Sequence, residues 1–348
     1  MKAETIVLNA ERNVTLTAYV QDAGDGSPYA TRRPAVLVLP GGGYTFCSDW
    51  EADPVAMAYL THGFHAFVLR YSVGRHKTWP NPLEDLEQAM ALIRERSGVW
   101  NLYGDKVAVA GFSAGGHLAA CAAATAVNRP NAAIIGYGVT LGEDIRSCND
   151  TAPDVVSAVS RDTCPCFVFS SRRDPVVPIA NTTRFIHALA EHDVAMEAHI
   201  YAYGPHGFST ADSSITPVTA EMCGRIPHWV PDSVRWLRDV LGDFTPGGMT
   251  APRFRLHMHD DPEDFFSVCC TAGYLLRCPQ TRGLVSPLLD RLRAEASRDE
   301  IMDPQMLPGI FERAALRDIL TARGVSEDAI ARLDAALRAV PKARRADD

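Results

Sequence analysis

Over the first 240 residues, seven short runs rich in β-branched and aromatic residues alternate with segments of helical period, and this alternation limits the fold more than any other feature. The runs are VTLTAYV (14–20), AVLVLP (35–40), AFVLRY (66–71), KVAVAGF (106–112), AAIIGYG (132–138), CFVFSS (166–171) and EAHIYAY (197–203). Between them lie PVAMAYLTH, PLEDLEQAMALIRER, GGHLAACAAATAV and TTRFIHALAEH, each opening after Pro, Asn, Asp or Gly, where helices start. Strands separated by helices form βαβ units and hence a mostly parallel sheet with helices on both faces. Near-continuous apolar strands agree, because a central parallel strand is buried on both sides.

After a last helical pattern, VPDSVRWLRDVLG, the Pro/Gly-rich stretch DFTPGGMTAP (243–252) breaks the alternation. We therefore expect two domains, an α/β domain over 1–245 and a small helical domain over 246–348. In the second, Leu284, Leu288, Leu289 and Leu292, and then Ile330, Leu333, Leu337 and Val340, form apolar stripes at helical spacing. Such stripes need a partner: the expectation is docking on a second copy as a homo-oligomer contact or on the first domain as a lid, with a self-contained bundle that buries its own stripes as the alternative.

A formal net charge of −8 argues against nucleic acid or an anionic membrane as partner, since both need a concentrated basic face. MKAETIVLNAERN has no apolar run of signal-peptide length and no stretch of about 18 apolar residues occurs, so a cytoplasmic protein is expected. The nine cysteines read as reduced thiols. No metal site is expected, because CPC (164–166), CC (269–270) and HMHDD (257–261) lack the spacing that aims several ligands at one ion.

The chemistry centres on KVAVAGFSAGGHLAA (106–120), where a strand pattern meets a helix at Gly-x-Ser-x-Gly. Gly111 and Gly115 relieve crowding around a strained Ser113, leaving its hydroxyl above the sheet. The helix dipole and the Ala114 N–H would stabilise an oxyanion forming there. A serine hydroxyl needs a histidine base, and the histidine needs an acid to hold its tautomer. Asp174 follows the strand run CFVFSS in SSRRDPVVP, and His206 follows EAHIYAY in GPHGF, in the order Ser, Asp, His. His187 and His192 fall in a helical pattern, His199 in a strand, and His117 on the helix after Ser113, where packing is expected. In LPGGGYTF, Gly41, Gly42 and Gly43 let the backbone approach a substrate oxygen, and the run lacks the spacing of a dinucleotide or phosphate loop.

Together these residues resemble the α/β-hydrolase esterases, and within them the acetylxylan esterase-like and feruloyl esterase-like group of carbohydrate esterases. The resemblance rests on PGGGY (40–44), the block from Ser48 to Val73, WPNPLEDLEQAM (79–90), GFSAGGHLAA (111–120), SRRDPVVP (171–178) and GPHGF (204–208), and covers Pro34 to Gly242 but not 250–348. It implies an α/β-hydrolase fold with nucleophile Ser113, acid Asp174, base His206 and oxyanion amides from Gly42, Gly43 and Ala114, needing no cofactor. The implied substrate is a small ester, foremost an O-acetyl group on a sugar or oligosaccharide, with Tyr44, Trp50 and Trp79 as candidate pocket side chains. Two other readings share the motifs: a serine peptidase of the prolyl-oligopeptidase type, and a silent hydrolase fold used as a binding module.

Overall fold

The computed structural model describes residues 1–22, 31–217, 219–253, 265–296 and 312–341. The chain divides into two compact units, 1–256 and 257–348. In the first, the strands are β1 (Lys2–Asn9), β2 (Val14–Val20), β3 (Arg33–Leu39), β4 (His65–Arg70), β5 (Leu102–Phe112), β6 (Ala132–Gly136), β7 (Cys166–Ser171) and β8 (Met196–Tyr201). They form one eight-stranded sheet in the order β1-β2-β4-β3-β5-β6-β7-β8. The β1–β2 and β2–β4 pairings are antiparallel, and all from β4–β3 onward are parallel.

The parallel strands are apolar on both faces because both are covered. Along β3, Ala35, Leu37 and Leu39 enter one core while Val36 and Val38 enter the other. β7 repeats this, with Cys166 and Val168 on the first side and Phe167 and Phe169 on the second. Helices α1 (Asp53–Thr61), α2 (Asn81–Glu95), α3 (Ala114–Thr125), α4 (Gly142–Ile145), α5 (Ala180–Glu191) and α6 (Trp229–Leu241) lie between and after the strands. α2, α3 and α5 close the first core, through Leu86, Leu118 and Phe185 among others, and α1 and α6 close the second, through Tyr59 and Trp229. Such a period-two split along a strand is what a doubly covered sheet requires.

Two details of the first unit differ from the sequence expectation. β1 had given no signal, because it is an edge strand whose residues are mostly exposed, and an exposed edge carries charge in place of apolar alternation. The stretch at 243–252 carries a small hairpin. Phe244–Thr245 and Gly248–Met249 pair antiparallel, and Arg253 reaches back to Asp239, so the unit continues past the expected boundary at 245.

The second unit is helical where it is described, with helices Ala272–Arg277, Pro279–Ala296, Leu316–Ala322 and Glu327–Arg338. Thr271 and Ser326 cap two of them, each side chain accepting a backbone N–H, from Tyr274 and Ala329. Here the stripes close on one another, as the self-contained alternative requires. Leu289, Leu292, Ile330 and Leu337 are buried in this unit's own core with Phe266, Leu275, Val285, Leu316 and Leu320, and Leu288, Leu333 and Val340 pack against it. Of the eight stripe residues only Leu284 is exposed, so the stripes find their partner in each other. The HMHDD stretch lies outside the described residues. Among the described residues no helix is long and apolar enough to cross a membrane.

Candidate active site

The site forms at the carboxyl ends of β3, β5, β7 and β8, where open α/β sheets place functional groups. β3 and β5 are neighbours in register, Leu39 beside Gly111, so the loop after β3 and the turn after β5 emerge together. The turn has no room for side chains. A Cβ on Gly111 would meet the Gly115 carbonyl oxygen at 2.1 Å, and one on Gly115 would meet the Leu39 carbonyl oxygen at 2.1 Å. α3 can therefore start directly against the end of β3 only with glycine at both places. Between them Ser113 takes φ 53° and ψ −117°, a conformation that L-residues avoid and that persists where surrounding structure enforces it. Its N–H donates to the Gly136 carbonyl at 3.0 Å, and its own carbonyl accepts from His117 and Val139.

The three residues that the sequence separates by 32 and 93 positions come together. His206 Nε2 lies 2.9 Å from Ser113 Oγ, and its Nδ1 lies 2.8 Å from Asp174 Oδ2. The Asp174 side chain is 1% exposed and that of His206 17%. Asp174 Oδ1 accepts the N–H groups of Val176 and Val177 at 2.8 and 2.9 Å, which fixes the carboxylate and leaves Oδ2 for the imidazole. A carboxylate accepts, so Nδ1 carries the proton and Nε2 is free to accept from the serine hydroxyl.

The glycine loop lies beside the serine. A Cβ on Gly41 would sit 3.1 Å from Ser113 Cβ. Gly42 and Gly43 have φ of 118° and 60°, and the Gly42 carbonyl accepts from Thr45 and Phe46, closing a tight turn. Among the described residues the amides of Gly42, Gly43 and Ala114 donate to no protein acceptor.

The three aromatic candidates separate. Tyr44 does not line a pocket: it is fully buried, with its ring edge-on to Tyr71 and His117 and its hydroxyl 2.7 Å from His117 Nδ1. A buried phenol needs a partner for its hydroxyl, and this one finds it in the core. Trp79 is half-buried, edge-on to the same His117 ring at 5.6 Å. Trp50 is exposed and stands by the histidine loop, its Nε1 3.8 Å from the position of a Cβ on Gly207. His117 Nε2 donates to the Pro153 carbonyl, and burial, its largest influence, pushes its pKa down to about 4, so it remains a neutral core histidine.

A solved structure of MGS-M1, an alpha/beta hydrolase enzyme from a Medee basin deep-sea metagenome library, is 36% identical, covers 69% of this chain and 98% of its own, and superposes with a TM-score of 0.64. The chain belongs to the α/β-hydrolase family. A family model described as BD-FAE matches residues 27–132 of this hydrolase. Among curated relatives, endo-1,4-beta-xylanase B of Butyrivibrio fibrisolvens is 31% identical over an alignment of 214 residues that covers 52% of this chain and 33% of that protein. The acetylxylan esterase of Xylanibacter ruminicola is 29% identical over 196 residues, 50% of this chain and 41% of that protein. The chain spans between a third and about half of the length of the curated relatives it matches.

One buried group beside this α/β-hydrolase site gave no sequence signal. Glu51 is 2% exposed, and its carboxylate accepts the Gly41 N–H and the Tyr137 hydroxyl. It lies in SDWEADPVA, within the block that carries the resemblance, where nothing marks this carboxylate as the one that turns inward. Only the local fold turns that side chain inward.

Proposed function

We propose that the protein is a serine carboxylesterase that removes small acyl groups, foremost acetyl from sugar hydroxyls. The observation that carries this reading is the unbroken line from Ser113 Oγ through His206 to Asp174, set on a strained strand-to-helix turn. His206 Nε2 takes the serine proton as Oγ bonds to the ester carbonyl carbon. The tetrahedral oxyanion takes hydrogen bonds from the Gly42, Gly43 and Ala114 amides. Collapse breaks the carbon–oxygen bond to the alcohol, which leaves with the proton from His206. Water then attacks the acyl-serine, His206 again accepting the proton, and the carboxylic acid departs as Ser113 recovers its own. No step requires a cofactor.

The acetyl-sugar preference draws on the likeness to an acetylxylan esterase, and Trp50 at the rim offers a ring face for a sugar. The test is hydrolysis of p-nitrophenyl acetate beside acetylated xylo-oligosaccharides and longer acyl esters. Release of acetate from the oligosaccharide with a fall in rate as the acyl chain lengthens is expected. Turnover of aminoacyl anilides without ester hydrolysis would move the reading to a peptidase, and no turnover of either class would leave a binding module.

A further inference from the structure

We propose that Glu51 is a positioning residue for acyl transfer, its carboxylate tying the oxyanion loop to the histidine loop so that the two sides of the site keep their spacing. The inference rests on the serine-esterase reading above.

The tie can be followed atom by atom. Gly41 N–H donates to Glu51 Oε2 at 2.9 Å, and Gly41 immediately precedes the two glycines whose amides face the oxyanion. Tyr137 O–H donates to Glu51 Oε1 at 2.6 Å. The direction is fixed, because the Tyr137 oxygen also accepts the Ser209 N–H at 3.1 Å and its single proton is left for the carboxylate. Ser209 lies three residues after His206, and its hydroxyl donates to the carbonyl of Trp50, next to Glu51 in the chain. The ring of Tyr137 meets the His206 imidazole edge-on at 5.1 Å. One carboxylate thus joins Gly41 on one side of Ser113 to Ser209 and His206 on the other.

Two features set this apart from ordinary core packing. Both Glu51 oxygens accept hydrogen bonds, and among the described residues no cation pairs with them, which fits an ionised carboxylate; burying such a charge is costly and an apolar residue would fill the space at less cost. Tyr137 and Ser209 also have positive φ, 37° and 48°, so both anchors of the tie are strained, as groups held for function often are. Among the described residues, the titratable groups facing Glu51 include Tyr137, His206 and Tyr71. Burial pushes its carboxyl pKa up, while the Tyr137 and Gly41 hydrogen bonds and the nearby imidazole pull it back.

The experiment compares Glu51→Gln, Tyr137→Phe and the double variant on p-nitrophenyl acetate, with active sites counted by end-point titration with a fluorophosphonate. The amide keeps the shape but offers N–H to one of two donors, so kcat per titrated site should fall about 10- to 100-fold, the scale of a small misplacement of reacting groups. KM should stay within about threefold, as expected when no substrate contact is lost. Tyr137→Phe should lose less, and the double variant should be no slower than Glu51→Gln, since the two act through one tie. Wild-type kcat per site in Glu51→Gln, or losses that multiply in the double variant, would overturn the proposal. Should Glu51→Gln not fold, Tyr137→Phe decides alone: lowered kcat at unchanged KM supports the tie and wild-type kcat overturns it. A wild-type protein that neither titrates nor turns over would instead break the esterase reading.

Discussion

The serine and the histidine sit 2.9 Å apart, yet what holds each in place is different in kind. Ser113 is fixed by close packing of backbone: β3, β5 and the first turn of α3 approach so tightly that Gly111 and Gly115 have carbonyl oxygens where a side chain would begin. His206 is fixed by a few polar threads, from Asp174, from Ser209 to Trp50 and Tyr137, and through Tyr137 to Glu51. Steric fixing is stiff, and it fails when volume is added. Polar fixing needs each partner to stay matched, and it fails when one donor or acceptor is changed.

The largest expected effect removes the reacting atom and leaves both kinds of support alone. Ser113→Ala should lower kcat for p-nitrophenyl acetate by about 10⁴-fold or more, because a triad acts as a unit. Its thermal midpoint should match wild type, since the side chain lost is one hydroxyl. Residual activity above a few per cent of wild type would mean that another residue is the nucleophile. Loss of fluorophosphonate labelling in the same variant checks the point independently.

Next in size comes the steric side. Gly115→Ala puts a methyl 2.1 Å from the Leu39 carbonyl oxygen and 2.4 Å from that of Pro40, atoms of a central strand and its exit that cannot swing aside. Overpacking of this sort should cost about 3 kcal/mol or more. In a domain of this size that lowers the thermal midpoint by roughly 6–12 °C. A Gly115→Ala variant melting with wild type would show that the turn is not held by packing.

These two modes explain what could be read in advance. The serine turn was legible because its cause is local: strand pattern, glycine at two set places and helix pattern occur within fifteen residues. Asp174 and His206 were legible because each directly follows a strand run. Glu51 was not, since its burial depends on Tyr137 and Gly41, 86 and 10 positions away, and a polar loop gives no hint of which carboxylate turns inward. Tyr44 misled for a related reason. An aromatic beside a glycine loop looks like a pocket wall, but at φ 56° the ring goes down to His117. The helical stripes of the second unit were visible, whereas their closure on one another requires knowing how the helices fold back.

A weaker effect separates the two sides by pH. His117, on the serine's own helix, has its pKa lowered from 6.5 to about 4, first by burial. The unfolded chain therefore takes up this proton before the folded one does. Stability is full above pH 6.5 and drains as pH falls towards 4, by at most about 1.4 kcal/mol per pH unit for this one group. His65, also held down to about 4 chiefly by burial, adds a second share over the same window. His117→Gln should flatten the fall in thermal midpoint between pH 6.5 and 4 without removing it. An unchanged slope would mean that His117 does not stay neutral in the core.

The smallest effect is the sharpest test of the contrast, because it makes the Gly115 change again on the polar side. Gly207 follows His206 and has φ 71°, so alanine is strained there whatever the space. The space itself is open: a Cβ would find Trp50 Nε1 at 3.8 Å and Glu51 Oε1 at 4.0 Å, both ordinary contacts. The cost is then the left-handed backbone alone, about 1–2 kcal/mol. Gly207→Ala should melt about 2–8 °C below wild type, less than Gly115→Ala. Its catalytic effect should be larger in proportion, because the loop can relieve the strain by shifting and every shift moves the imidazole from the serine. A loss of roughly tenfold in kcat with so small a change in melting is the signature of a group held by threads. If Gly207→Ala instead lost as much stability as Gly115→Ala while its folded fraction kept full kcat, the histidine loop would prove as tightly packed as the serine turn, and the distinction between the two supports would fall.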